Sequence, residues 1–391
     1  MKIINKYSVT AIIFMVIIAI IGTFTLFETA LPIAKEFISN STISEKIAFV
    51  ENIYKSNLFG LNDFIDIYSK TQVYLGTQLF DDPEYDFIIK DNQGKLHFPC
   101  AVYDTTKQSN SVTEFVNKLN TNFAYIQAPG KNLEGYTTLP IGAYHYGNEN
   151  TDRFLDQLSK SSINYFDLRE EVKKDDLDRS KMFYTSDHHW TTETAFWAFG
   201  KIVNYLNENF TLSIDENNYY TDIKNWKTTE YPKSFMGSLG VRVGESISTL
   251  DDFTLIEPNF ETNYDIYYPS NNSDTPTWSG TFRETIVRDE ILDSKDIHDN
   301  KYSSYFKYEY NNLIIKNNKI NNGLKILIIK DSFALPVVAY LSTCVEEIHI
   351  IDLRADGAPN PSEYVQKYDF DTVLMLYNTD VFAGKKLFNL N

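Results

Sequence analysis

The sequence has few cysteines and no excess of basic residues. Cys100 and Cys344 are the only two among 391 residues, and neither lies in a CxxC or Cys/His pattern that would indicate zinc. They are either a disulfide pair or two buried thiols, and we favour the second. Lys and Arg number 36 against 53 Asp and Glu, which gives a net charge of −17. This balance argues against DNA or RNA binding, which needs a clustered basic surface.

One long apolar run does occur, close to the N-terminus. Residues 8–27 carry no charged side chain over a length that spans a bilayer core, which predicts a transmembrane anchor. Lys2 and Lys6 precede the run and Glu28 follows it, so the positive-inside rule places residues 1–7 in the cytoplasm. A cleaved signal peptide is the alternative, although its apolar core is typically shorter and ends at a small-x-small site. Either way, we expect a domain outside the cytoplasmic membrane.

The rest of the chain divides into a stalk and one large domain. Residues 28–61 read as a stalk with helical stretches, and residues 62–391 as the extracytoplasmic domain. Strand-like runs at 73–76 and 87–89, followed by the turn sequence 91–94, predict that this domain opens with a hairpin. A segment rich in Asn, Asp, Ser, Thr and Tyr, from about 210 to 322, predicts a loop-rich insertion with some β structure.

Strand and helix patterns alternate on both sides of this insertion. Repeated β-α units indicate a mainly parallel sheet covered by helices, with functional groups at the carboxyl ends of its strands. The predicted strands are 123–127, 165–168, 324–329, 347–351 and 372–377, and the predicted helices are 112–119, 152–160, 334–342 and 361–367.

The first segment with chemical potential is the Asp-His-His stretch before a helix-like run. Asp187 and His189 are two residues apart, so an extended loop would direct both side chains to one side and His188 to the other. A carboxylate could then hold one ring nitrogen of His189 and leave the second as a general base. Taken alone, a helix cap with polar loop residues is the simpler interpretation. The pattern supports metal binding less than either of these interpretations, because adjacent histidines rarely face one ion and the i,i+4 spacing of zincins is missing.

The second segment is a buried-type strand that runs directly into a helix. It ends in Asp331-Ser332, and Pro336 suits the first turn of the helix that follows. Ser332 would then lie at the carboxyl edge of the sheet, where backbone N–H groups can stabilise an oxyanion. Its simpler interpretation is a helix cap. Together the two segments supply Ser, His and Asp, the minimum for serine acyl chemistry.

These two segments also resemble a known family. The Thr-Ser-Asp-His-His-Trp-Thr block that begins at Thr185 and the Lys-Asp-Ser-Phe-Ala block that begins at Lys330 look like the DHHW family, with further similarity at residues 127–129, 167–170, 237–240, 347–354 and 376–378. That family is similar to the alginate O-acetyltransferase group of the SGNH hydrolase-like superfamily. The resemblance implies a three-layer α/β/α fold with a mainly parallel sheet, and it covers most of the chain beyond the anchor.

The resemblance also implies roles for particular residues. It matches Asp187 and His189 to the family's Asp-x-His-Trp pair and Ser332 to its nucleophile. Lys330 departs from the Gly of the Gly-Asp-Ser motif in many SGNH proteins, which bears on the oxyanion geometry. We take Asn378 as an oxyanion candidate, since it ends a predicted strand at the same sheet edge. The substrate-binding candidates, chosen from the matched blocks and from the aromatic residues of the insertion, are Trp190, Arg169, Trp226, Tyr231 and Trp278.

The resulting hypothesis is a membrane-anchored O-acetyltransferase that modifies hydroxyls of a cell-envelope or secreted polysaccharide. No cofactor or metal is expected. Acetyl-CoA is cytoplasmic and residues 8–27 contain no ionisable side chain for a transport path, so another component must bring the acetyl group across the membrane. The resemblance implies a membrane-bound O-acyltransferase as this donor partner. An O-acetylesterase, a non-catalytic polysaccharide-binding or assembly protein, and a sulfate- or phosphate-ester enzyme remain as alternatives.

Overall fold

The N-terminal part of the chain is helical. In the computed structural model, which describes residues 6–38, 42–269, 275–306, 311–384 and 386–391, the chain divides into one unit of Met1–Leu75 and another of Gly76–Asn391. The first unit contains helices α1 (Lys6–Ile38), α2 (Ile43–Ser56) and α3 (Leu61–Tyr74). The predicted strand at 73–76 is therefore wrong at its start, because α3 continues to Tyr74 and the positive φ of Gly76 follows its end.

Helix α1 contains the apolar run. The stretch Thr10–Ile38 is long and apolar enough to cross a membrane. This feature is compatible with a single-pass anchor and equally with a signal sequence. Lys2, on which the predicted orientation partly depends, lies outside the described residues. The helical stretches expected in the stalk are present, and α2 begins with a capping box between Thr42 and Glu45.

The second unit opens with a small antiparallel sheet. Its strands are β1 (Leu79–Asp82), β2 (Asp86–Lys90) and β3 (Leu96–His97). The turn between β2 and β3 forms where expected, since one carboxylate oxygen of Asp91 accepts hydrogen bonds from the backbone N–H of Gln93 and of Lys95. The predicted hairpin is confirmed.

An eight-stranded sheet forms the centre of this unit. Its order is β5-β4-β13-β11-β12-β10-β8-β9, in which the first five strands are mutually parallel and the last three are antiparallel to their neighbours. The strands are β4 (Asn122–Gln127), β5 (Tyr165–Asp167), β8 (Tyr264–Tyr267), β9 (Trp278–Gly280), β10 (Asn312–Asn317), β11 (Lys325–Lys330), β12 (Glu347–Ile351) and β13 (Thr372–Tyr377). All five predicted strands of the alternating pattern therefore form the parallel part.

Both faces of the sheet are covered. Alternate residues of β11 belong to different cores, with Ile326 and Ile328 on one side and Leu327 and Ile329 on the other. The first core is closed by α6 (Leu168–Lys174), α7 (Thr192–Phe210) and α11 (Ala334–Leu341), and the second by α4 (Thr106–Val116), α5 (Gly147–Lys160) and α12 (Pro361–Tyr364). This is the three-layer α/β/α architecture that was expected.

The predicted insertion contains the expected β structure together with short helices. A long hairpin of β6 (Trp226–Phe235) and β7 (Asp251–Pro258) lies within it, with α8 (Ser238–Val243) between the two strands and α9 (Phe282–Thr285) and α10 (Asp289–Leu292) after them. Three of its strands, β8, β9 and β10, extend the central sheet. Parts of the region, at 270–274 and 307–310, lie outside the described residues. Cys100 and Cys344 are buried and free, which supports the thiol interpretation.

Candidate active site

Ser332 lies at the carboxyl edge of the parallel strands. β11 ends at Lys330, and α11 begins at Ala334, so the serine occupies the tight turn between them. The turn is fixed by Asp331, whose carboxylate accepts a hydrogen bond from the backbone N–H of Phe333 at 2.8 Å. Ser332 is 8% exposed and lines an open cleft. Its hydroxyl is therefore held in one place with access from one side.

The structure brings Ser332, His189 and Asp187 into one hydrogen-bonded chain. Nε2 of His189 lies 2.7 Å from Oγ of Ser332, and Nδ1 of the same ring lies 2.5 Å from Oδ1 of Asp187. The backbone N–H of His189 also donates to Oδ1 of Asp187, at 2.9 Å. In this arrangement the carboxylate selects the tautomer with its proton on Nδ1, which leaves Nε2 as the acceptor for the serine proton.

The second oxygen of Asp187 has its own donors. Oδ2 accepts from the backbone N–H of Ser238 and from the side-chain amide of Asn300, both at 2.9 Å. Burial by itself would raise the pKa of Asp187, but the neighbouring imidazoles and these hydrogen bonds outweigh burial and hold the pKa well below its usual range. The carboxylate is ionised and can stabilise an imidazolium on His189.

The chain segment that carries Asp187 is held from both sides. The Asp251 carboxylate accepts from the backbone N–H groups of Thr185 and Ser186, at 2.6 and 2.7 Å. On the carbonyl side, Nζ of Lys131 donates to Thr185 O at 2.9 Å and to Asp187 O at 2.7 Å. These contacts fix the segment that leads into α7, whose N-cap is Thr191.

A glycine allows the start of α8 to approach Asp187 closely. A Cβ atom added at Gly237 would lie 2.2 Å from Cβ of Asp187, which no side chain can tolerate. The backbone N–H of the next residue, Ser238, would then be unable to reach the Asp187 carboxylate. This gives a physical role to the glycine that opens the 237–240 block singled out from the sequence.

An aromatic layer lies behind His189. The ring of Tyr302 stacks on the imidazole with centroids 3.9 Å apart, and its hydroxyl donates to the carbonyl oxygen of Ser332 at 3.1 Å. Trp190 is fully buried, and its indole N–H donates to the carbonyl oxygen of Phe333 at 3.1 Å. Tyr302 and Trp190 thus hold the nucleophile turn against the histidine.

A basic residue that the sequence analysis missed reaches Ser332. Nη1 of Arg354 lies 3.5 Å from Ser332 Oγ, and its guanidinium also donates to both oxygens of Asp352, at 3.0 and 2.7 Å. Lys330 donates to the same carboxylate at 2.7 Å. The lysine in place of the family's glycine therefore anchors Asp352, which in turn orients Arg354 toward the nucleophile. The block 347–354 was noted in the sequence, but nothing in it indicated this contact.

Asn378 and His188 also reach the cleft. The side-chain amide and the backbone N–H of Asn378 each donate to Oδ2 of Asp331 at 2.8 Å, so this residue supports the nucleophile turn.

His188 does not point away from its neighbours, as an extended segment would require. Its ring lies 3.8 Å from that of His189 and its Nδ1 is 2.9 Å from Ser238 Oγ, because the segment bends before α7.

The five substrate-binding candidates do not face the cleft. Trp190 and Trp226 are core residues, and Tyr231 and Trp278 pack partly buried against the same core. Arg169 is paired with Asp167 and Asp152 beside a different pocket. None of the five lines the cleft at Ser332. The three candidates from the insertion, Trp226, Tyr231 and Trp278, belong to or pack against the core that covers the sheet. The structure thus corrects this part of the prediction.

The cleft has a volume of about 550 Å³. Its floor is formed by His188, Asp331, Ser332 and Arg354, and its walls come from the turn between β1 and β2, from the segment after β3, from Tyr144 and from the loop after β13. The walls carry three aromatic side chains, Tyr85, Phe98 and Tyr144, and three carboxylates, Glu84, Asp86 and Asp380.

Asp187, His188 and His189 form a group that could hold a metal ion, since one donor atom from each lies within 4.8 Å of the others. Both ring nitrogens of His189 are engaged, one by Asp187 and one by Ser332. A metal ion bound to this histidine would have to displace one of those hydrogen bonds. The geometry therefore fits proton transfer better than metal ligation.

Solved structures of other proteins share this fold. The chain has an SGNH hydrolase-like α/β fold. It is similar to PatB1 of Bacillus cereus, solved alone and with a sulfonyl adduct, with 20% identity and a TM-score of 0.61 over 78% of this chain and 98–99% of that one. It is also similar to a DHHW family protein of Eubacterium siraeum, with 16% identity and a TM-score of 0.57 over 78% of this chain and 94% of the other.

A more particular match comes from the sequence. Residues 134–246 match the family described as the SGNH hydrolase-like domain of the acetyltransferase AlgX. This stretch contains Asp187 and His189 but ends before Ser332. No curated protein matches the chain. The resemblance stated above is confirmed, and the AlgX match supports an enzyme of the acyltransferase kind.

Proposed function

We propose that this protein is an O-acetyltransferase that carries an acetyl group on Ser332 and passes it to a hydroxyl of a cell-envelope or secreted polysaccharide. The observation that carries the proposal is the Asp187–His189–Ser332 chain, with contacts of 2.5 and 2.7 Å, at the floor of an open cleft. The AlgX match supports acetyl as the group transferred.

The first half-reaction forms an acetyl-enzyme. Ser332 Oγ attacks the acetyl carbonyl while Nε2 of His189 takes the serine proton, and Asp187 stabilises the imidazolium that results. The guanidinium of Arg354, 3.5 Å from Ser332 Oγ, and the backbone N–H of Ser332 are the proposed donors to the developing oxyanion. When the carbon–oxygen bond to the donor breaks, His189 returns the proton to the leaving group.

The second half-reaction transfers the acetyl group from Ser332 to the acceptor. A sugar hydroxyl enters the cleft, gives its proton to Nε2 of His189 and attacks the acetyl carbonyl. The ester bond to Ser332 breaks, and the serine regains the proton from His189. Water in place of the sugar would make the same protein an O-acetylesterase, because both reactions share one acetyl-enzyme.

The first test uses the full-length protein in detergent with an activated acetyl ester that releases a chromophore. We expect Ser332→Ala to lower the release rate by several orders of magnitude, as for other nucleophiles of a triad. Ser159→Ala, which changes an exposed serine on α5, is the matched control and should keep wild-type turnover. A folded Ser332→Ala variant with wild-type turnover would refute the role of Ser332.

A donor partner in the membrane is the second part of the proposal. Its support is the helix of Thr10–Ile38, whose apolar run offers no ionisable side chain from which a transport path could be built. Following the family resemblance, we propose that a membrane-bound O-acyltransferase supplies the acetyl group, and an anchor in the same membrane would raise its effective concentration. In this second part of the proposal, the chain beyond the anchor lies outside the cytoplasm.

Exchange of the apolar segment tests the partner. When residues 1–27 are replaced by a cleavable signal peptide, polysaccharide acetylation in cells should fall sharply, whereas cleavage of the activated ester by the released domain should persist. Unchanged acetylation would indicate a diffusible donor and contradict the tethered partner.

A further inference from the structure

The charges around the proposed cleft are unevenly distributed. Four carboxylates line it, from Glu84, Asp86, Asp331 and Asp380, against one guanidinium, that of Arg354. Arg354 and Lys330 share the Asp352 carboxylate, which leaves one positive charge, and the Asp331 carboxylate beside Arg354 offsets that charge. A negatively charged ligand would therefore meet little net positive charge at the floor of the cleft.

The mouth of the cleft is acidic. Asp86 is exposed, and the described part of the chain provides no ion pair for it. Glu84 is paired with Arg242, but Arg242 also serves Asp82, so one cation faces two carboxylates. Asp380 lies 3.3 Å from Nε2 of His145. Even with that histidine protonated, the carboxylates outnumber the cations at the mouth, and the chain's net charge of −17 adds a field of the same sign.

Aromatic side chains occupy the same walls. Tyr85 and Phe98 stack with ring centroids 4.9 Å apart, and Tyr144 stacks on Tyr146 at 6.2 Å. Tyr85, Phe98 and Tyr144 all line the cleft. Tyr85 and Tyr144 provide apolar contact area together with a polar hydroxyl, and Phe98 adds apolar area only, which suits the apolar faces and hydroxyls of sugar rings.

From these two observations we infer that the acceptor is an uncharged glycan, made of neutral or N-acetylated hexoses, and that uronate-rich polymers are poor acceptors. The inference rests on the proposed function. A carboxylate on every sugar ring would approach Glu84, Asp86 and Asp380 without a free cation to pair with, and like charges brought together in a partly desolvated cleft repel. The aromatic walls favour an uncharged ring in the same place.

The experiment compares pentasaccharides of equal length as acceptors. The full-length protein in detergent is given the activated acetyl ester with pentamers of N-acetylglucosamine, mannose or galacturonate, and acetylated sugar is quantified by mass spectrometry. Acetyl-enzyme formation is followed separately through the chromophore, which does not depend on the acceptor. Two variants remove single charges from the cleft: Asp86→Asn, which suits the positive φ of 70° at that position, and Glu84→Gln. Glu208→Gln removes an exposed charge of α7 that does not line the cleft and is the control.

We expect kcat/KM for at least one uncharged pentamer to exceed that for the galacturonate pentamer by tenfold or more. Each cleft variant should reduce this ratio about threefold or more, high salt should also reduce it, and Glu208→Gln should leave it unchanged. Equal or better use of galacturonate would overturn the inference and leave the proposed function intact. Loss of chromophore release in the wild-type protein would instead overturn both.

Discussion

Lys131 offers the sharpest test of how the candidate site is supported. Its side-chain nitrogen Nζ is buried and donates to the carbonyl oxygens of Thr185 and Asp187, so it fixes the segment that presents the carboxylate to His189. Replacement by Met removes both donors. Each buried carbonyl left without a partner costs about 1–3 kcal/mol, and a shift of the Asp187 segment should lower kcat by about tenfold or more.

The same substitution should change how stability depends on pH. Burial lowers the pKa of Lys131 to about 7, an effect that the nearby Asp251 carboxylate only partly opposes, whereas a lysine in the unfolded chain has a pKa of about 10.4. Between these values the unfolded state binds the proton and the folded state does not. The contribution of Lys131 to the free energy of unfolding therefore rises with pH, by about 1.4 kcal/mol per unit.

Urea denaturation at a series of pH values measures this contribution. From pH 7.5 to 9.5, the difference in unfolding free energy between the wild type and Lys131→Met should grow by about 3 kcal/mol. Lys107→Met, at an exposed position on α4, should show no such growth. A Lys131→Met variant with the wild-type pH slope and wild-type kcat would refute both the buried amine and its positioning role.

Substitutions at three further positions test neighbouring parts of the site. Asp187→Asn should lower acetyl-enzyme formation by about 10³–10⁴, since an amide cannot stabilise the imidazolium of His189, and stopped-flow chromophore release measures it. Arg354→Met should lower the same rate by about 10²–10³ if the guanidinium serves the oxyanion, with partial recovery in Arg354→Lys, and equal rates in all three proteins would contradict that role. Tyr302→Phe removes a buried hydroxyl that donates to the Ser332 carbonyl, so urea denaturation should show a loss of about 1–3 kcal/mol, whereas unchanged stability would mean that the bond is not needed.

The parallel part of the fold was predictable because its signals are local. The strands that became β4, β11, β12 and β13 are short apolar runs between helix patterns, and this alternation permits few topologies. The antiparallel strands β8, β9 and β10 were not predicted as part of the sheet. They lie in a polar region, and they join the sheet only because β10 pairs with β12, β8 with β10 and β9 with β8.

The candidate site was predictable to a similar extent. Asp187, His189 and Ser332 were recognised because each lies in a short pattern with a chemical interpretation. Arg354 and Tyr302 were not, because their roles arise only when distant segments meet at one sheet edge. Trp190 shows the opposite error. It was taken as a substrate-binding candidate from the matched block, whereas its indole N–H is used inside the core.

The central claim, that Ser332 carries the acyl group and passes it to a sugar, is tested most directly by mass spectrometry of the full-length protein. After brief incubation with the activated acetyl ester, we expect one added acetyl group, and peptide fragmentation should locate it on Ser332. On addition of an oligosaccharide acceptor, that group should leave the protein and appear on the sugar. An acetyl group on another residue, or an unmodified protein that still turns over, would contradict the account. Loss of the Ser332 acetyl group as free acetate alone would identify an esterase.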